Sequence, residues 1–119
     1  MYEVNRSVFL LIPKEPFWQW LQSAGIDTSG ITLEDLQADA NAYLVSPCGD
    51  AAQMWEEIGA RTEEIFAAEL ADWCEDPSTW PPLQADLFNE WFDIRLSTIL
   101  TDLTAEPLAR ETFRPLITD

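Results

Sequence analysis

The sequence predicts an α+β domain of two layers. A three-stranded sheet carries its helices mainly on one face, in the order β-α-α-β-α-α-β. Three observations lead there. Two apolar runs, 6–12 and 41–45, have strand length and stop at proline or glycine. The segment 92–101, FDIRLSTILT, alternates apolar and polar residues as a half-exposed strand does. The stretch 50–74, DAAQMWEEIGARTEEIFAAELADWC, lacks proline and repeats apolar residues at spacings of three and four, as one long helix requires. The chain has 119 residues, 47% of them hydrophobic, enough for one domain with a core that needs no disulfide or metal.

Taken in order, Phe9 and Leu11 point one way from the first strand and Val8, Leu10 and Ile12 the other. Apolar groups on both faces suit a central strand. Pro13 ends it. Pro16 sits well in the first turn of a helix with Phe17, Trp20, Leu21 and Ala24 as its stripe, and Gly25 caps it. Thr32 and Asp35 have capping-box spacing before a short helix to about 38. Strand 41–45 ends at Ser46-Pro47 and Gly49, so that Asp50 can cap the long helix with Gln53 three residues on. That helix should bury Trp55, Ile58, Ile65, Phe66, Leu70 and Trp73. It should place Glu57 beside Arg61, four residues away. Asp76-Pro77 and Pro81-Pro82 break the chain. A helix over 82–91 buries Leu83, Leu87, Phe88 and Trp91 and leads into the third strand. The domain spans 1–103. Residues 104–119 form a weakly patterned tail that packs on the domain or moves freely. Helical crossovers leave room for some parallel pairing.

Charge excludes more than it assigns. Six basic residues face twenty-two acidic ones, a formal net charge of −16. That sign opposes nucleic acids and anionic membranes, which bind proteins through Lys and Arg. It favours solubility and basic partners. No apolar run has membrane-spanning length, and residues 1–14 do not read as a signal peptide, so the expected location is cytoplasmic. Cys48 and Cys74 form no CxxC pair and read as reduced, buried thiols. Histidine is absent, which removes the commonest general base and metal ligand.

Candidate sites are few. Glu56, Glu57, Glu63, Glu64 and Asp72 give the long helix an acidic outer face that a basic partner could meet; the plainer reading is a solvated face. No calcium-loop or di-iron spacing occurs among the carboxylates. Ser7, Ser46, Cys48, Ser78 and Ser97 have no nucleophile signature around them. Neither catalytic residues nor cofactors are expected. Trp18 lies off its helix stripe and Trp80 sits among prolines. If exposed they make an aromatic docking patch; otherwise they cover the edges of the core.

The segments NRSVFLLIPKEPFWQW, TLEDL, NAYLV, EEIFAAELADW, STWP and FNEWFDI together resemble a family of small acidic bacterial proteins of unknown function. The resemblance runs from Val4 to Leu103. It implies a bacterial, cytosolic protein and carries over no activity, cofactor or site residue. The leading expectation is a soluble, non-enzymatic interaction protein with an unidentified protein partner, for which the charge favours a basic one. One alternative is an acidic inhibitor of a basic partner, of immunity type or mimicking the nucleic-acid backbone. Another is an enzyme of unrecognised type. A homodimer through an open sheet face is also expected.

Overall fold

A computed structural model describes residues 1–113. Arg114, Leu116 and Ile117 of the expected tail lie outside the described residues. The chain is α+β. Its strands are β1 Tyr2–Val4, β2 Ser7–Pro13, β3 Asn41–Val45, β4 Phe92–Ser97 and β5 Leu100–Asp102. Its α-helices are α1 Glu15–Ser23, α2 Leu33–Ala38, α3 Ala51–Gly59, α4 Thr62–Ala71 and α5 Ala85–Trp91, with a 3-10 turn at Pro77–Thr79.

The central sheet has the order β3-β2-β4 and is antiparallel throughout. Among the described residues no parallel pair forms, although the crossovers leave room for one. Two helices separate β2 from β3, and a chain that reverses at each of them returns antiparallel. A separate ribbon pairs β1 with β5, Glu3 opposite Thr101. The third strand therefore does not run unbroken through 92–101. It stops at Ser97, whose hydroxyl donates to the Ile99 carbonyl at 2.9 Å and turns the chain. Ser7, fully buried in β2, fixes that corner. Its hydroxyl donates to Thr98 O and accepts from Cys48 N–H, at 3.1 and 2.9 Å.

The long helix expected over 50–74 is two helices. Asp50 caps the first as expected, its carboxylate accepting from Gln53 N–H at 2.9 Å. The break falls after Gly59. Arg61 leaves helical geometry at φ −123° and ψ 14°, and the Thr62 hydroxyl donates to the carbonyls of Ile58 and Gly59. The bond to Gly59 supplies a partner at the end of α3, and the Ile58 carbonyl, which already accepts from Arg61 N–H, gains a second donor. The break changes which residues face inward. Met54 is fully buried, whereas Trp55, expected on the inner stripe, is 48% exposed. Arg61 pairs with Glu64 at 3.6 Å, not with Glu57.

Helix α4 is the spine of the core. Ile65, Phe66 and Leu70 meet Phe9 and Leu11 from β2 and Phe17 and Leu21 from α1 in one buried cluster. The Phe66 ring lies 5.5–5.8 Å from those of Trp91, Phe88 and Phe92. Two indoles fasten the connection that follows α4: Trp20 donates to Thr79 O at 2.9 Å and Trp80 to Cys74 O at 2.8 Å. Helix α5 starts at Ala85, three residues later than the sequence suggests, because Pro82 and Leu83 remain extended or turned. Among the described residues no helix is long and apolar enough to cross a membrane.

Candidate functional site

Alternation along β3 puts Asn41 and Tyr43 on the face that looks toward the helices. Tyr43 stacks on Phe9 with centroids 5.3 Å apart, which fixes its ring. From there its hydroxyl donates to Glu69 Oε2 at 2.5 Å. The Asn41 side-chain amide donates to the same oxygen at 2.8 Å. Glu69 is a carboxylate only 6% exposed. It sits four residues after Ile65 and three after Phe66, on the apolar side of α4 rather than the acidic one. That spacing was the available signal, and the density of carboxylates along 56–72 obscured it.

Glu69 lines a cleft of about 230 Å³ between α2, β3 and α4. Leu11, Phe17, Leu36 and Trp73 give it apolar walls, and Asp39 and Asp72 carry charge there. Burial lifts the Glu69 pKa above its ordinary value, and the Asp72 charge adds to the rise. The bonds from Tyr43 and Asn41 act in the opposite sense. Burial and then the neighbouring Glu69 hold the Tyr43 phenol far above its usual range, so it stays protonated and can only donate to the carboxylate. Among the described residues no serine, threonine, cysteine or lysine lines the cleft.

The remaining candidates are dispersed. Glu56 and Glu57 line a shallow groove on α3 with Cys48 and Gln53. Glu63 and Glu64 project from the start of α4, beyond the break, and are exposed. Asp72 alone of the acidic set reaches the Glu69 cleft. Trp18 and Trp80 are half-buried and pack against the core cluster. Among the described residues no group of three or more acidic or cysteine side chains is placed to share a metal ion.

The sheet's second face is apolar on one side. Val8, Leu10 and Ile12 project from β2, and the register sets Leu44 opposite Val8 and Ala42 opposite Leu10. Leu10 is 39% and Leu44 53% exposed. On β4 the same face carries Asp93, Arg95 and Ser97. Leu10 and Ile12 floor a groove between residues 37–40 and the pair Asp93 and Arg95. Comparison with family models, curated proteins and solved structures gives no match.

Proposed function

We propose that this chain is a non-enzymatic interaction protein of the bacterial cytosol that docks a basic protein on the open face of the β3-β2-β4 sheet. The observation that carries the reading is the exposed row of Leu10 and Leu44, continued by Val8, Ile12 and Ala42, on a molecule of net charge −16. Neighbouring apolar residues left in water on a sheet favour association, and the surrounding charge selects a partner of opposite sign. Glu56, Glu57, Glu63, Glu64 and Asp72 would supply long-range attraction, and the accessible edges of Trp18 and Trp80 would supply secondary contact. An inhibitor of a basic enzyme is one form this partner could take. Among the described residues the cleft at Glu69 offers one perturbed carboxyl and no nucleophile, which favours binding over catalysis.

The competing occupant is a second copy of the chain. Salt separates the two, because pairing two acidic chains strengthens as salt screens their repulsion, whereas docking a basic protein weakens. The test is chemical cross-linking in cells, followed by purification of the captured protein and titration against it. A basic partner is expected, with affinity falling as salt rises. Replacing Leu10 and Leu44 together with serine should weaken it by about tenfold or more, since each buried leucine contributes roughly 1.5–3 kcal/mol. Self-association that strengthens with salt, or a partner indifferent to both serines, overturns the proposal.

A further inference from the structure

We propose that the cleft between α2, β3 and α4 binds an organic cation, an alkylammonium or alkylguanidinium group on an apolar stem, with Glu69 as its anion. The inference stands apart from docking on the open sheet face.

Its foundation is the unequal use of the two Glu69 oxygens. Oε2 receives both hydrogen bonds, from Asn41 and from Tyr43. Oε1 receives none, yet no buried side-chain oxygen or nitrogen among the described residues lacks a partner. Oε1 therefore retains access to solvent, and Glu69 lines the cleft. A carboxylate so buried is costly unless a cation or further donors complete it. Both ion pairs found among the described residues, Lys14 with Asp93 and Arg61 with Glu64, lie elsewhere, and no basic side chain among the described residues lines the cleft. Among the described residues the charged groups near Glu69 are Asp39 and Asp72, both acidic, beside the neutral Tyr43 phenol. An entering cation thus finds half an ion pair already built.

The walls define the rest of the ligand. Leu11, Phe17, Leu36 and Trp73 suit an aliphatic stem. A hard metal ion needs several oxygens around it, and one free carboxylate oxygen between apolar walls does not supply them. A volume of about 230 Å³ is small beside the roughly 300–1,000 Å³ of sites for drug-sized ligands. The cleft takes a group the size of one side chain. That group could be a free amine or the Lys or Arg side chain of a protein, since the chemistry at Oε1 is the same.

Proton balance gives a second signature. Cation binding stabilises ionised Glu69 and draws its raised pKa downward. Affinity should therefore climb with pH through the Glu69 titration and then level off.

The test uses n-butylguanidinium as probe, read by nuclear magnetic resonance of the full chain. Saturable shifts are expected at the Glu69 carboxyl carbon and the Trp73 indole, with a lower Glu69 midpoint. 1-Pentanol, with a similar stem and no charge, should leave those signals in place. Glu69→Gln keeps an acceptor for Tyr43 and Asn41 and turns an amide toward the cleft. It should weaken the probe by about tenfold or more. The exposed Asp72→Asn is the companion variant, and a smaller loss is expected. The tripeptide acetyl-Ala-Arg-Ala-amide distinguishes the sources. Binding equal to the probe's points to a partner's side chain, and its exclusion while the probe binds points to a free cation. Unsaturable shifts spread over the acidic surface, equal binding of 1-pentanol, or affinity unchanged in Glu69→Gln overturns the proposal.

Discussion

Glu69 shows how burial and hydrogen bonding divide control of one charge. Desolvation favours the protonated acid, and Asp72 pushes the same way. Tyr43 and Asn41 favour the anion by donating to it. The net shift is upward from the ordinary 4.5. Between that value and the higher folded one, the native state holds a proton that the unfolded chain has lost. Stability from this group is fully present below 4.5 and is lost as pH rises through the folded pKa. Glu69→Gln removes the titration while keeping an acceptor in place. The variant should therefore gain on the parent as pH is raised from 4 to 8, measured as the difference in Tm between the two at each pH. A difference independent of pH would show that Glu69 is not held above its ordinary pKa. In the sequence only its spacing from Ile65 and Phe66 marks this residue, and that mark is lost among twenty-two acids. Its depth depends on Ile65 and Phe66, which set the inner side of α4.

At the scale of elements, local pattern located most pieces and misjudged their continuity. The capping box at Thr32 forms, with Asp35 N–H donating to the Thr32 hydroxyl and Thr32 N–H to the Asp35 carboxylate. Gly25 takes φ +74°, a conformation that disfavours side chains, and ends the chain reversal after α1. The 50–74 helix failed at a single point because apolar spacing tolerates a change of register across Gly59-Ala60-Arg61. Gly59 has negative φ, and a Cβ built there meets nothing within 4 Å. Gly59→Ala should accordingly stabilise the chain by about 0.5–1 kcal/mol, through lost freedom of the unfolded state and better helix propensity. Denaturant unfolding checks this. A loss instead would mean that the corner between α3 and α4 requires backbone freedom at Gly59. Strand β1 escaped notice because three residues, Tyr2–Val4, cannot display a period.

For the whole molecule, charge governs what happens outside the core. A net charge of −16 is confined to a body of 43 × 30 × 26 Å. At about 10 mM salt the Debye length is roughly 30 Å, so charges on opposite sides repel; near 150 mM it is about 8 Å. Raising salt across that range should stabilise the fold by about 1 kcal/mol, or ~4 °C in Tm. Scanning calorimetry at neutral pH in sodium chloride provides the measurement. A Tm that falls with salt would show that local ion pairs outweigh the general repulsion. The same field attracts any cation to the surface. The core holds against it through aromatic packing around Phe66, where α1, α4, α5 and β4 meet.

The amino-acid sequence by itself determined the α+β class, the positions of β2, β3 and α1, the caps at Thr32 and Asp50, and the acidic character of the surface. Each follows from neighbours within a few residues or from composition. Tertiary structure alone decided the β3-β2-β4 order, the split of 50–74 into α3 and α4, the β1·β5 ribbon, and the site at Glu69. Asn41 and Tyr43 stand 28 and 26 residues before the carboxylate they contact. Periodicity tells which way a side chain leaves its own strand or helix. It does not tell which distant side chain will be waiting there, because that depends on how the layers pack.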